Sequence, residues 1–218
     1  MNKTLISDIK QILDLQSQIK LTYDKDVFRN QKYRELLVAD IIQSYEPTYQ
    51  LISDKVDFIT ATIHNGEIKS CKVDKLKNGL YSLSAGRFEF DKQNDSARRE
   101  NTRKYDGFTF GMFDSINESH IVGVFYITSI VGVTYIDELI GKKQEEFLKK
   151  MEVCERENKQ ITRDSIQLSI REIFECPDCL ILDNEGTQIT LEVLKSKFNQ
   201  KHNPPTTTVD SVTIIAES

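Results

Sequence analysis

Glycine, proline, cysteine and long apolar runs are all in short supply in this chain. Nine glycines and four prolines in 218 residues argue against a turn-dense all-β sandwich, whose many connections draw on these two residues. Four cysteines do not make a disulfide framework, and without a secretion signal they are expected to be reduced thiols. The most apolar stretch, 121–136, is interrupted by Thr128, Ser129 and two glycines. It is too short to cross a bilayer, and its Val, Ile, Tyr and Phe content suits two buried strands. Residues 1–20 are amphipathic and mixed in charge, unlike a signal peptide. A soluble, cytoplasmic protein is expected. His64 and His120 are isolated. There is no Ser/His/Asp set, no Gly-rich phosphate loop and no HNH-type cluster.

Hydrophobic residues make up 39%, low for a globular chain, but 11 Phe and 8 Tyr are enough to build a core. The length suits a single domain over 1–202, with a core at 30–136, a helical third at 137–202 and an extended tail at 203–218. The net charge of −5 does not advertise a nucleic-acid binder, but it is unevenly spread. Residues 69–104 hold ten basic and five acidic side chains, so that segment carries +5 and the rest −10. Such a local basic surface can touch phosphate backbones while the protein as a whole stays acidic. A solvated charged face is the plainer reading of the same run.

Leu5, Ile9, Ile12, Leu13 and Ile19 share a stripe at helical spacing, so 4–21 reads as a helix, and 30–45 repeats the pattern up to Pro47. The texture then turns β-branched and aromatic over 56–63 and 67–73. Asn65-Gly66 lies between the two runs, a strong hairpin-turn signal. Asn78-Gly79 is another turn, and 94–104 a short charged helix. Strands are expected at 105–113 and 120–127, joined by the turn 114–118, with a third possible at 129–136. A charged helix over 137–159, with Gly141 as a candidate break, follows. Residues 162–174 fit strand or helix, with helix preferred. A strand at 180–182, the turn 183–186 and a helix over 190–200 complete the chain. The fold class is α/β, a central mixed sheet flanked by helices.

Hydrolysing a phosphodiester calls for charge neutralisation at the scissile phosphate, an activated water and a stabilised leaving oxygen. Hard cations such as Mg²⁺ take carboxylate oxygens and keep several waters, and a nearby lysine can orient or deprotonate the attacking water. The hairpin offers these parts. Asp57 opens the first strand, and Glu67 and Lys69, two residues apart, share a face of the second.

Asp57, a gap of nine residues, then Glu67-Ile68-Lys69-Ser70 resembles the PD-(D/E)XK nuclease superfamily, and within it the type II restriction endonucleases. Glu35, in the helical segment 33–40 before the hairpin, adds to the likeness. Val56 stands where the family often has proline. The resemblance covers roughly 30–130. It implies a restriction-endonuclease-like fold and a Mg²⁺-dependent endodeoxyribonuclease acting on double-stranded DNA as a homodimer. Asp57 and Glu67 would hold the metal, Lys69 would position the water, and Glu35 would assist. The alternative is a non-enzymatic nucleic-acid- or protein-binding module.

Side-chain parity leaves two sets open. A two-residue Asn65-Gly66 turn would put Asp57 on one face with Ser70 and Lys72, and the second carboxylate would come from Glu89 or Glu100. A bulge or longer loop would restore Glu67 and Lys69, the set preferred from the resemblance. Cys176-Pro177-Asp178-Cys179 has the spacing of half a zinc site. Only Cys154 and His202 are at hand to complete it, so two ordinary thiols are expected. Tyr105, Phe108, Phe110 and Phe113 could stack bases, but at strand spacing they read as core.

Overall fold

A computed structural model of the chain describes residues 3–23, 31–52, 57–84, 86–91, 105–157 and 165–199. Helices α1 (Lys3–Tyr23) and α2 (Gln31–Tyr45) precede strands β1 (Gln50–Leu51), β2 (Phe58–Ile59), β3 (Gly66–Val73), β4 (Arg87–Asp91), β5 (Gly107–Asp114) and β6 (Ile121–Ile127). Helix α3 (Ile130–Arg156), strand β7 (Ser165–Ser169), helix α4 (Ile170–Phe174), strand β8 (Leu180–Leu182) and helix α5 (Leu191–Ser196) follow. The six-stranded sheet runs β1-β2-β3-β5-β6-β8, and β4 pairs with β7 in a separate ribbon. In the sheet β3 and β5 are parallel, and every other neighbouring pair is antiparallel. This is the α/β class with a mixed central sheet that the sequence implies.

The sheet is apolar on both faces, and each face has its own cover. On one side Ile6, Ile9 and Leu13 of α1 and Leu37, Val38, Ile41 and Ile42 of α2 pack with Ile68, Phe113 and Val124. On the other side the β4–β7 ribbon brings Phe88, Phe90, Ile166 and Leu168 onto Phe108, Phe110 and Phe125, and Ile136 of α3 joins them. This double burial explains why β5 and β6 are near-continuous apolar runs rather than alternating ones. Phe108, Phe110 and Phe113 are fully buried, so the aromatic strand is core, as its spacing implies.

Several segments differ from the sequence reading: of the described part of the strand expected over 56–63 only Phe58–Ile59 is a strand, and β1 and β4 were not expected. Residues 129–136 are not a third strand but the start of α3, which runs unbroken through Gly141. The β-branched content there is overridden by a cap: Ser129 Oγ accepts the Gly132 N–H at 3.0 Å, and Ser129 O accepts from Val133. Ile130 and Val131 consequently point outward, 85% and 56% exposed. The stretch 162–174, preferred as one helix, divides. Its described part is β7 up to Ser169 and α4 from Ile170, and the boundary is a capping box in which Ser169 and Glu172 bond each other's backbone N–H. The turns at 77–79 and 183–186 are present, with positive φ at Gly79 and Gly186. The helix expected at 190–200 is the shorter α5, capped by Thr190. The expected helix at 94–104 and the tail at 203–218 lie outside the described residues.

Candidate active site

The β2–β3 hairpin decides which side chains can act together. Its register pairs Phe58 with Gly66, so the connection is the six residues 60–65 and not a two-residue Asn65-Gly66 turn. Thr60 closes that loop, donating N–H to Ile63 O at 2.9 Å while its Oγ1 accepts from Thr62 N and Ile63 N. Gly66 already belongs to the strand and does not have positive φ. It is glycine because of crowding: a Cβ there would stand 2.4 Å from the Phe58 ring. Gly66→Ala is therefore expected to cost about 1–3 kcal/mol through overpacking, measured by chemical denaturation, and Phe58→Leu in the same chain should recover part of the loss.

Asp57 lies one residue before that pair, just outside β2 at the head of the hairpin. Asp57 N–H donates to Gly66 O at 3.0 Å, and its Oδ2 accepts from Ile68 N–H at 2.9 Å. The carboxylate is thus anchored at the head of β3. Its Oδ1 makes no hydrogen bond among the described residues. Glu67 Oε1 forms a close ion pair with Lys69 Nζ, and both side chains are nearly buried, 14% and 15% exposed. Lys69 Nζ also lies 5.3 Å from the centre of the Phe90 ring on β4. At the Gly66 end of β3, Asp57 is thus tied to the Ile68 N–H, and Glu67 and Lys69 on either side of Ile68 pair with each other.

Ser70 and Lys72 belong to the opposite face, with Ile68 and α2. There Lys72 Nζ pairs with the buried Glu118 at 2.5 Å, and Arg34 Nε stands 3.9 Å from the same carboxylate. Sequence reasoning missed Glu118, which sits in the β5–β6 turn with no motif around it. Glu35 is buried on α2, the helix that covers this second face. It is thus carried by the layer across the sheet from Glu67 and Lys69. Burial foremost, and after it the charges of Tyr126, Asp57 and Glu35, hold the Tyr49 hydroxyl well above its ordinary pKa despite a hydrogen bond with Thr109, so Asp57 and Glu35 are both felt at Tyr49, which packs with α2. Of the alternative carboxylates, Glu89 is exposed on β4 and accepts from Gln167 Nε2 at 2.6 Å, while Glu100 lies outside the described residues.

Among the described residues no three His, Cys, Asp or Glu side chains form a group that could hold a metal. Asp57 and Glu67 would make a two-carboxylate, oxygen-only donor set, the kind that suits Mg²⁺ when waters and a phosphate oxygen complete the shell. Cys176 and Cys179 bond to backbone instead: Cys176 Sγ approaches Gly132 O at 3.7 Å, and Cys179 Sγ approaches Cys176 O at 3.5 Å. Burial pushes the Cys176 thiol up to about 12, the direction opposite to an activated thiolate. No helix among the described residues is long and apolar enough to cross a membrane. No known family matches the chain, and no curated protein matches it either.

Proposed function

We infer that the chain is a Mg²⁺-dependent endodeoxyribonuclease of the restriction type, acting on double-stranded DNA. The observation that supports this reading is the hairpin, in which the Asp57 carboxylate accepts from the N–H of Ile68, the residue between Glu67 and Lys69, and those two side chains pair. Likeness of those residues to the PD-(D/E)XK pattern adds to it. Asp57 and Glu67 would hold the cation, whose part is to neutralise charge on the scissile phosphate and acidify a bound water. Lys69 orients the attacking water through its ammonium N–H groups, or takes a proton from it once neutral. The water oxygen forms the new P–O bond, the bond to the leaving sugar oxygen breaks, and that oxygen recovers a proton. Asp57 is kept in place by the Ile68 N–H. Of the basic segment, Lys75 and Lys77 are exposed beyond β3, where they can meet phosphates. Cutting both strands calls for two such sites, hence a homodimer.

The test is incubation of the purified chain with plasmid DNA, read on a gel. Cleavage is expected with Mg²⁺ or Mn²⁺ and none in EDTA, while binding persists in Ca²⁺. Discrete bands mean sequence-specific cutting. Robust cleavage in EDTA would remove the metal mechanism. Binding without cleavage under every metal condition would make the chain a nucleic-acid-binding module.

A further inference from the structure

The Lys69 ammonium is held from two sides by groups on different elements. Glu67 pairs with it along β3, and the Phe90 ring approaches it from β4. Phe90 is 6% exposed and tilted edge-on to Phe110, with ring centres 6.4 Å apart. Its strand is fastened to β7 in a register that places Phe90 beside Ile166. The ring therefore has little freedom of its own. A cation beside an aromatic face is drawn by the ring quadrupole, and the attraction grows as water is excluded. A lysine otherwise carries its charge on a flexible four-carbon stem with many rotamers. Glu67 alone cannot fix where that stem ends, because a carboxylate accepts a point charge from many directions.

We propose that Phe90 is the positioning residue for Lys69, fixing the place of its ammonium beside Glu67, a role that rests on the nuclease reading above. Phe90 makes no contact with a reacting atom. It acts by keeping Lys69 Nζ where an attacking water can be met, in the way that supporting side chains hold a catalytic group to within a fraction of an ångström. Its removal is expected to lower kcat and leave KM unchanged, since the number of DNA contacts is the same.

The experiment uses the full chain, with and without ¹³C-labelled lysine, and the variants Phe90→Leu and Phe90→Tyr. The Lys69 ε-methylene signal, assigned by its disappearance in Lys69→Met, is expected upfield of the other lysines because of the Phe90 ring current. Phe90→Leu should lose that displacement and lower kcat on the order of tenfold. Phe90→Tyr, which keeps the ring, should retain both. Thermal melts establish that each variant is folded, and Phe90→Met stands in with the same expectation if the leucine variant is not. An upfield signal that persists in Phe90→Leu, or is absent from the starting protein, overturns the proposal. So does a leucine variant that cuts at the original rate, or one whose loss appears in KM alone. Absence of cleavage in the starting protein would instead sink the nuclease reading, while the lysine signal still reports whether the ring holds the amine.

Discussion

Asp57→Ala is expected to abolish cleavage and leave the fold standing. Among the described residues the Asp57 carboxylate accepts one hydrogen bond, from Ile68 N–H, and the hairpin keeps its main-chain bonds without it. Lys69→Ala should reduce kcat by on the order of 10²-fold or more, as expected when a positioned acid–base group is removed. Lys72→Ala is the control, because it separates the two faces of β3. Lys72 points away from Glu67 and pairs with Glu118, which is 6% exposed. Its loss should lower thermal stability by leaving that buried carboxylate with the more distant Arg34, at 3.9 Å, in place of a close ion pair, with cleavage near normal. The measurement is a single-turnover rate on plasmid DNA with a melt for each variant. If Lys72→Ala is inactive and Lys69→Ala cuts normally, the acting face is the one under α2, and Ser70, Lys72 and Glu35 should replace Glu67 and Lys69 in the mechanism. If Asp57→Ala and both lysine variants all cut normally, the site is not in this hairpin.

Phe110→Ala should cost about 3–5 kcal/mol, the range for truncating a fully buried phenylalanine. Phe110 is completely buried, stands beside Lys69 in the β3–β5 register, and lies 4.9 Å from the Phe88 ring and 6.0 Å from Phe108, centre to centre. No single neighbour can slide in to fill the space, because strands bound on both edges cannot close up. For a domain whose whole stability is about 5–15 kcal/mol, that is a large share. Urea unfolding checks it. A loss below about 1.5 kcal/mol would mean that the ribbon carrying Phe88 and Phe90 collapses onto the sheet and is less rigidly held than its pairing with β7 implies.

Where periodicity was long, the sequence was a good guide. Helices α1 and α2 and the apolar runs of β5 and β6 are where their spacing leads one to expect them, although on α1 Ile6, Ile9 and Leu13 are buried while Leu5 and Ile12 of the expected stripe are exposed. The short and non-local elements were not legible. β1 is two residues long, and β4 owes its pairing to β7, 78 positions later at Glu89 and Gln167, a partnership no local window contains. The start of α3 was hidden because β-branched residues argued for a strand while Ser129 quietly capped a helix. The hairpin shows the limit most sharply. Asn65-Gly66 carries the chemistry of a tight turn, yet the glycine is needed for the bulk of Phe58, a side chain whose position depends on the packed sheet. The same pair of letters thus misled about the loop. The loop is instead six residues long and closed by Thr60 bonding Thr62 and Ile63, contacts that no local pattern announces. Glu118 had no signal at all, since a lone acid in a turn looks like any other.

The pairing of β4 with β7 has a bearing on how the chain is assembled during synthesis. Asp57, Glu67, Lys69 and Phe90 all lie in the first 90 positions, but the strand that carries Phe90 has its hydrogen-bond partner at Ser165–Ser169. On a ribosome, where the N-terminal part emerges first, the hairpin can form well before the ring that steadies its lysine has anything to lean on. The last step in building the site is then the arrival of a strand from the far end of the domain, so a chain interrupted before it would carry every acting residue without the support that holds the amine in place.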